Sequence, residues 1–155
     1  MKLIHFFAIL VIIAMVVFYQ IDEYDIYSHD GLRIKSYESE NIVRTYVKDQ
    51  SMIQVVHTDA YHEDLVFYVV ISKGEITDFK VIEHRETEDY GGYIETDWFE
   101  KRMQVSVSKP LTVVKLSKTS ENEIVAITGA TITTQGIVYG VNDCIENYWR
   151  YLDEF

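Results

Sequence analysis

The stretch "TGATITTQGIVYGV", residues 128–141, places four threonines within seven positions at the foot of a segment with helical apolar spacing. The first turn of a helix leaves backbone N–H groups unpaired and carries the positive end of the helix dipole, a combination that attracts phosphate. Gly129 allows positive φ or close approach of a ligand to the backbone, Ala130 keeps the surface low, and Thr128, Thr131, Thr133 and Thr134 offer hydroxyls. Two readings stay open from these residues alone: a phosphate cradle, or hydroxyls that cap a helix and stitch a turn. The glycine and lysine spacing of a P-loop is missing, and so are the repeated glycines of a dinucleotide fold. A second polar stretch, "HRETEDYGGYIETDWFEKRM" at 84–103, sets Glu86 and Thr87 beside paired glycines and the ring residues Tyr90, Tyr93, Trp98 and Phe99. Trp98, on a short helical segment, is expected to pack, which leaves Tyr90 and Tyr93 as the better candidates for contact with a ligand ring.

The elements that must position these residues are legible in outline. "DLVFYVVIS" and "ITDFKVIEH" are rich in β-branched and aromatic residues and are separated by "KGE", which predicts a hairpin turning at Gly74. Imperfect alternation of Ile76, Phe79 and Val81 predicts a bulge or burial on both faces. A short helix is expected from Thr96 or Asp97, with β character returning in "QVSVS" and "LTVVKLS" around Pro110 and again in "IVAI". Ile137, Val141, Cys144, Ile145, Tyr148 and Leu152 recur at three- and four-residue steps and predict a final amphipathic helix with Cys144 on its buried stripe. Upstream, "SENIVRTYVK" carries Ile42, Val43, Tyr46 and Val47 at helical spacing behind Ser39, so a first helix is expected there.

At the amino terminus Leu3 to Tyr19 holds no Asp, Glu, Lys or Arg and reaches about 26 Å as a helix, enough to cross a bilayer. No small-x-small cleavage pattern follows, which favours a retained anchor over a signal peptide. Lys2 lies before the span and Asp22, Glu23 and Asp25 after it, an order that leaves the N-terminus in the cytoplasm and the remainder outside. The expected organisation is an anchor at 1–20, a stalk and first helix at 21–50, and a folded domain at 51–155. All 25 acidic residues lie beyond Tyr19 and the net charge is −11, which excludes nucleic acid as a partner. The single cysteine and the five histidines have no metal-ligand spacing.

Taken together the two polar stretches resemble a known family. "TGATIT" resembles the Ser/Thr-Gly-Ala-Ser/Thr-x-Ser/Thr flavinylation motif of FMN-binding domains, a family that includes the G subunit of Rnf electron-transport complexes and the C subunit of the sodium-pumping NADH:quinone reductase. The upstream stretch is similar to that family's E-T-P-G-x-G segment, with Glu86, Thr87, Gly91, Trp98 and Phe99 at corresponding places. The resemblance spans about residues 50 to 150. It implies an α+β domain, a small twisted antiparallel sheet with packed helices, behind one transmembrane helix.

It also implies FMN held by a phosphoester at Thr133, installed by a flavin transferase from FAD. Thr128, Gly129, Ala130 and Thr131 would surround the phosphate and ribityl chain, with Glu86, Thr87 and Tyr90 approaching from the other loop. Electrons would then pass between FMN and a membrane redox partner or Rnf-like complex subunits. The sequence departs from the family pattern at Val125, where an Asp is usual, leaving Glu123 on the same strand face as the candidate substitute. Glu88 and Asp89 replace the motif's Pro and first Gly and would bring negative charge near the flavin. These departures keep two rivals in view, a cofactor-free accessory module on the same fold and a reductase that holds FMN without a covalent bond.

Overall fold

The computed structural model describes residues 32–34, 39–48 and 50–153. The apolar segment expected to form an anchor lies outside them. Among the described residues no helix is long and apolar enough to cross a membrane.

Five strands form one antiparallel sheet in sequence order: β1 (Leu32–Ile34), β2 (Ile42–Lys48), β3 (Ser51–Thr58), β4 (Leu65–Ser72) and β5 (Glu75–Glu83). The expected hairpin is β4–β5, with Ser72 facing Glu75 and only Lys73 and Gly74 between them. Both have positive φ, 52° and 79°. That is the pair of conformations whose twist suits a two-residue hairpin loop, and glycine supplies the second without cost. The pairing slips between Val66 and Phe67 and between Val70 and Ile71, so the broken alternation does mark bulges.

The expected first helix at "SENIVRTYVK" is corrected to β2. Ile42, Val43, Thr45 and Val47 are β-branched and lose χ1 freedom in a helix, while pairing with β3 from Lys48↔Ser51 back to Ile42↔Val56 satisfies their backbone groups. Ser39 does not cap a helix. Its hydroxyl donates to Asp143 on the last helix instead. The sheet therefore begins before residue 51, inside the segment expected to be a stalk.

After β5 the chain passes through a 3-10 turn (Gly91–Glu95) into α1 (Asp97–Met103), with Thr96 at the expected cap position. "QVSVS" contributes one bridge, Ser106 to Glu75, rather than a strand. β6 (Thr112–Val114) and β7 (Glu123–Val125) pair in parallel as a separate two-stranded sheet. The chain then enters α2 (Thr131–Asp153), whose first turn takes in Thr133 and Thr134.

α2 lies against the sheet and closes the core. Ile137, Val141, Cys144 and Tyr148 pack with Met52, Val56 and Phe67 in one cluster that also takes in Phe79, Phe99 and Met103. Contact is close because Gly140 has no side chain: a Cβ there would lie 2.7 Å from Val56 Cγ1 and 3.0 Å from Phe67 Cζ. A buried polar pair fixes the register of helix on sheet, since Gln54 Nε2 donates to the Cys144 carbonyl and Asn147 Nδ2 donates to Gln54 Oε1. Leaving either partner unmatched would cost about 1–3 kcal/mol, so the helix has one favoured position.

Candidate functional site

The end of β7 and the start of α2 are joined by a turn that only glycine makes cheaply. Gly129 sits at φ 82°, and Ala130 N–H closes the turn by donating to the Ile127 carbonyl at 2.9 Å. Thr134 then ties helix to turn: its hydroxyl donates to the Ala130 carbonyl at 3.0 Å and accepts from Ile127 N–H at 3.2 Å. Of the four hydroxyls, this one is spent locally, bonding back to the carbonyl four residues earlier and accepting from the chain that enters the turn.

Thr133 does something different. It has no solvent exposure, and its hydroxyl donates at 2.7 Å to Oε2 of Glu86, a residue of the loop after β5. The other carboxylate oxygen, Oε1, accepts from His62 N–H at 2.9 Å. Glu86 N–H in turn donates to Nδ1 of His84, whose Nε2 meets Glu95 at 3.0 Å. His84 thus uses its unprotonated nitrogen on the Glu86 backbone and its N–H on Glu95, and the pair of contacts holds the start of the loop.

Two glycines let this loop press inward. A Cβ on Gly91 would lie 2.1 Å from Glu86 Oε2, so the carboxylate occupies the place a side chain would need. A Cβ on Gly129 would lie 2.7 Å from Tyr90 Cδ1, so the Tyr90 ring rests on the turn itself. Thr87 O accepts from both Tyr90 N–H and Gly92 N–H, which shapes the bend between Glu86 and Gly91.

Between the two loops is a cavity of about 520 Å³. Seven of the eight residues expected at the site border it: Glu86, Thr87, Tyr90, Gly129, Ala130, Thr131 and Thr133. Thr128 does not; it is exposed at the first central position of the turn. Tyr61, Ile132 and Gly91 also border it. Tyr61 comes from the β3–β4 connection and gave no motif signal. Ile132 is the variable position of the threonine motif, and an apolar side chain more than half exposed on the first turn of a helix was the available clue.

Two sequence expectations, on Glu123 and Trp98, are corrected here. Glu123 does not stand in for the missing Asp: its carboxylate accepts from Thr119 N–H, the Thr119 hydroxyl and Ser120 N–H at the far end of β7. The Thr119 N–H and then the Thr119 hydroxyl hold its pKa below the usual carboxylate value. At Val125 the backbone carbonyl instead accepts from Arg102, whose guanidinium lies 4.7 Å from the Trp98 ring centroid. Trp98 is accordingly half exposed rather than packed, while Phe99 beside it is fully buried. Glu88 and Asp89 are exposed and do not border the cavity.

The cavity volume lies within the ~300–1,000 Å³ typical of small-molecule pockets. Its walls combine two tyrosine rings and an isoleucine with hydroxyls at the amino end of a 23-residue helix. Flat apolar surface beside the positive pole of a helix suits a ligand with a planar ring and an anionic tail. The residues present therefore fit FMN.

Comparison with known proteins points the same way. Residues 60–146 match the FMN-binding domain. The chain is 35% identical over 77 residues to the G subunit of the proton-translocating ferredoxin:NAD(+) oxidoreductase complex of Clostridium ljungdahlii, covering 50% of this chain and 41% of that protein. It is 36% identical over 80 residues to the G subunit of the Na(+)-translocating ferredoxin:NAD(+) oxidoreductase complex of Acetobacterium woodii, covering 51% and 39%. It thus matches about two fifths of the length of these curated relatives. Among solved structures, Shewanella oneidensis NqrC superposes with a TM-score of 0.56 at 16% identity, covering 72% of this chain and 61% of that one. The C subunit of the Na(+)-translocating NADH-quinone reductase from Parabacteroides distasonis gives 0.53 at 20% identity, covering 68% and 61%. At such identities the structural likeness carries the fold. With the family match extending over more than half of the chain and both motif loops meeting at one cavity, the chain belongs to the FMN-binding domain family.

Proposed function

We propose that this protein is an electron-transfer module that carries FMN in the cavity between the Glu86 and Gly129 loops, bonded through its phosphate to Thr133. The observation that carries the reading is the meeting of two sequence-distant motifs at one cavity, with the acceptor threonine on the first turn of α2. Bound flavin supplies the one- and two-electron chemistry. The chain's own residues position it: Tyr90 and Tyr61 offer ring faces, Thr87 and Thr131 offer hydroxyls, and the helix terminus favours the phosphate's charge.

Attachment requires a co-reactant and a separate flavin transferase. As the Thr133 Oγ–P bond forms, the phosphoanhydride P–O bond of FAD breaks, AMP leaves, and the threonine hydroxyl proton is lost. Thr133 stands apart from its neighbour because the Thr134 hydroxyl is already used on both sides by the turn. A covalent tether keeps flavin at a fixed high local concentration where a dissociable one would be diluted.

The relatives named above are subunits of ion-translocating redox complexes, which supports a membrane redox partner for this chain. The apolar span Leu3–Tyr19 supports a single anchor with the domain outside the cytoplasm. The module relays electrons and turns over no small substrate of its own. Co-expression with a flavin transferase, followed by flavin fluorescence in a denaturing gel, tests the reading: a fluorescent band supports it. The sealed Thr133 hydroxyl favours one rival, a cofactor-free accessory module, for which the band would be dark.

A further inference from the structure

The contact that joins the two loops also blocks the acceptor. Thr133 has no solvent exposure, and the direction of its O–H bond is taken by Glu86 Oε2 at 2.7 Å. Replacing that proton with phosphorus places a phosphodiester anion where the carboxylate now lies. The seat itself favours negative charge: it adjoins the first turn of a 23-residue helix and includes the His62 N–H. It does not accommodate two anions, because like charges in a partly dehydrated site repel strongly. Glu86 reaches it only because Gly91 has no Cβ, and the same loop lays Tyr90 over Gly129.

We infer that the Glu86 carboxylate is a stand-in for the flavin phosphate, holding the anion seat in the unmodified chain and giving it up when flavin enters. The inference rests on the flavin reading above and adds a gate to it. Entry of the phosphate moves Glu86 out of the seat, and the loop that carries Glu86 takes the Tyr90 ring off the turn. Glu86 is then a positioning residue that governs access to Thr133, while the ring system of the flavin is held by other groups.

Two ligands differing only in the phosphate separate these roles. The full-length chain, produced without a transferase, is titrated with FMN and with riboflavin at fixed ionic strength. Glu86→Gln keeps the size of the side chain and an acceptor for Thr133 but removes the charge, so FMN affinity should rise roughly tenfold over the wild type while riboflavin affinity stays the same. Glu86→Ala should change the two ligands in the same order and covers the case in which the glutamine variant folds poorly. FMN affinity equal to or below that of the wild type in the folded variants would overturn the stand-in and leave the flavin reading intact. Binding of neither flavin by any folded variant would also overturn the stand-in, while a dark band after co-expression with a flavin transferase is what would overturn the flavin reading.

Discussion

Thr133 and Glu86 are 47 residues apart in sequence, and their side chains meet at 2.7 Å across the floor of one cavity. This hydrogen bond ties the loop after β5 to the first turn of α2, so the two polar stretches of the sequence act as halves of one site. It also distinguishes Thr133 from the adjacent Thr134, whose hydroxyl is spent within its own turn.

The two threonines should therefore fail differently when truncated. Thr133→Ala is expected to abolish covalent flavin, at a stability cost of about 1–3 kcal/mol because a buried carboxylate oxygen loses its donor. Thr134→Ala is expected to keep the covalent flavin while costing a similar amount, since Ile127 N–H loses its acceptor. Urea denaturation together with gel fluorescence of both variants checks this; loss of fluorescence in Thr134→Ala alone would place the acceptor one residue later.

Gly136 and Gly129 should tolerate alanine poorly for separate reasons. A Cβ at Gly136 would lie 2.2 Å from the Asp59 carbonyl oxygen, which is backbone and yields little, so α2 would be pushed from the β3–β4 connection. At Gly129 the positive φ adds strain of about 1–2 kcal/mol and the new methyl group meets the Tyr90 ring. Both substitutions should lower the urea midpoint. Tyr90→Ala should recover part of the loss at Gly129 and none at Gly136, as a double-mutant comparison would show.

Acid sensitivity has an identifiable contributor in Glu123. Its pKa in the folded chain is held below the ordinary 4.5 by the Thr119 and Ser120 donors. The stabilisation is thus fully present above that ordinary value and fades as pH falls through the lower folded one. Glu100 runs the other way: burial raises its pKa, so its charged form opposes folding above 4.5 and the opposition is relieved as it protonates. Glu123→Gln should flatten the loss of stability below about pH 4.5. Glu100→Gln should stabilise at pH 7 and lose that advantage in acid. Denaturant midpoints measured from pH 7 to pH 3 give both signs.

Cys144 should be chemically silent in the native state. It is fully buried against the sheet, and burial followed by the nearby Asp143 charge raises its thiol pKa well above the ordinary value. The thiolate is the reactive species, so a thiol reagent at pH 8 should label the unfolded chain quickly and the native chain only at the rate of opening.

The parts of the fold governed by local chemistry are legible in the sequence. The β4–β5 hairpin can be read from its β-branched runs and from Gly74, and the final helix from the spacing of Ile137, Val141, Cys144 and Tyr148. β2 is not, because Ile42, Val43, Tyr46 and Val47 satisfy helical spacing as well as a bulged strand; the deciding factor is pairing with β3, a non-local contact. The site motifs name seven of the residues bordering the cavity, yet the burial of Thr133 depends on where Glu86 falls after β5, which no spacing encodes. His62 meets Glu86 through its backbone N–H and the Thr87 hydroxyl through its ring Nε2 at 3.4 Å, contacts across 24 and 25 residues that no local spacing encodes. Glu123 shares a strand face with Val125 as expected, but its carboxylate is taken by the turn at Thr119, a competition visible only in three dimensions.

The central claim, that Thr133 carries FMN, is tested most directly by the intact mass of the denatured full-length protein after co-expression with a flavin transferase. The wild type should be heavier than the bare chain by FMN less one water, and Thr133→Ala should show the bare-chain mass. A wild type at the bare-chain mass, or a Thr133→Ala variant that keeps the increment, would contradict the account.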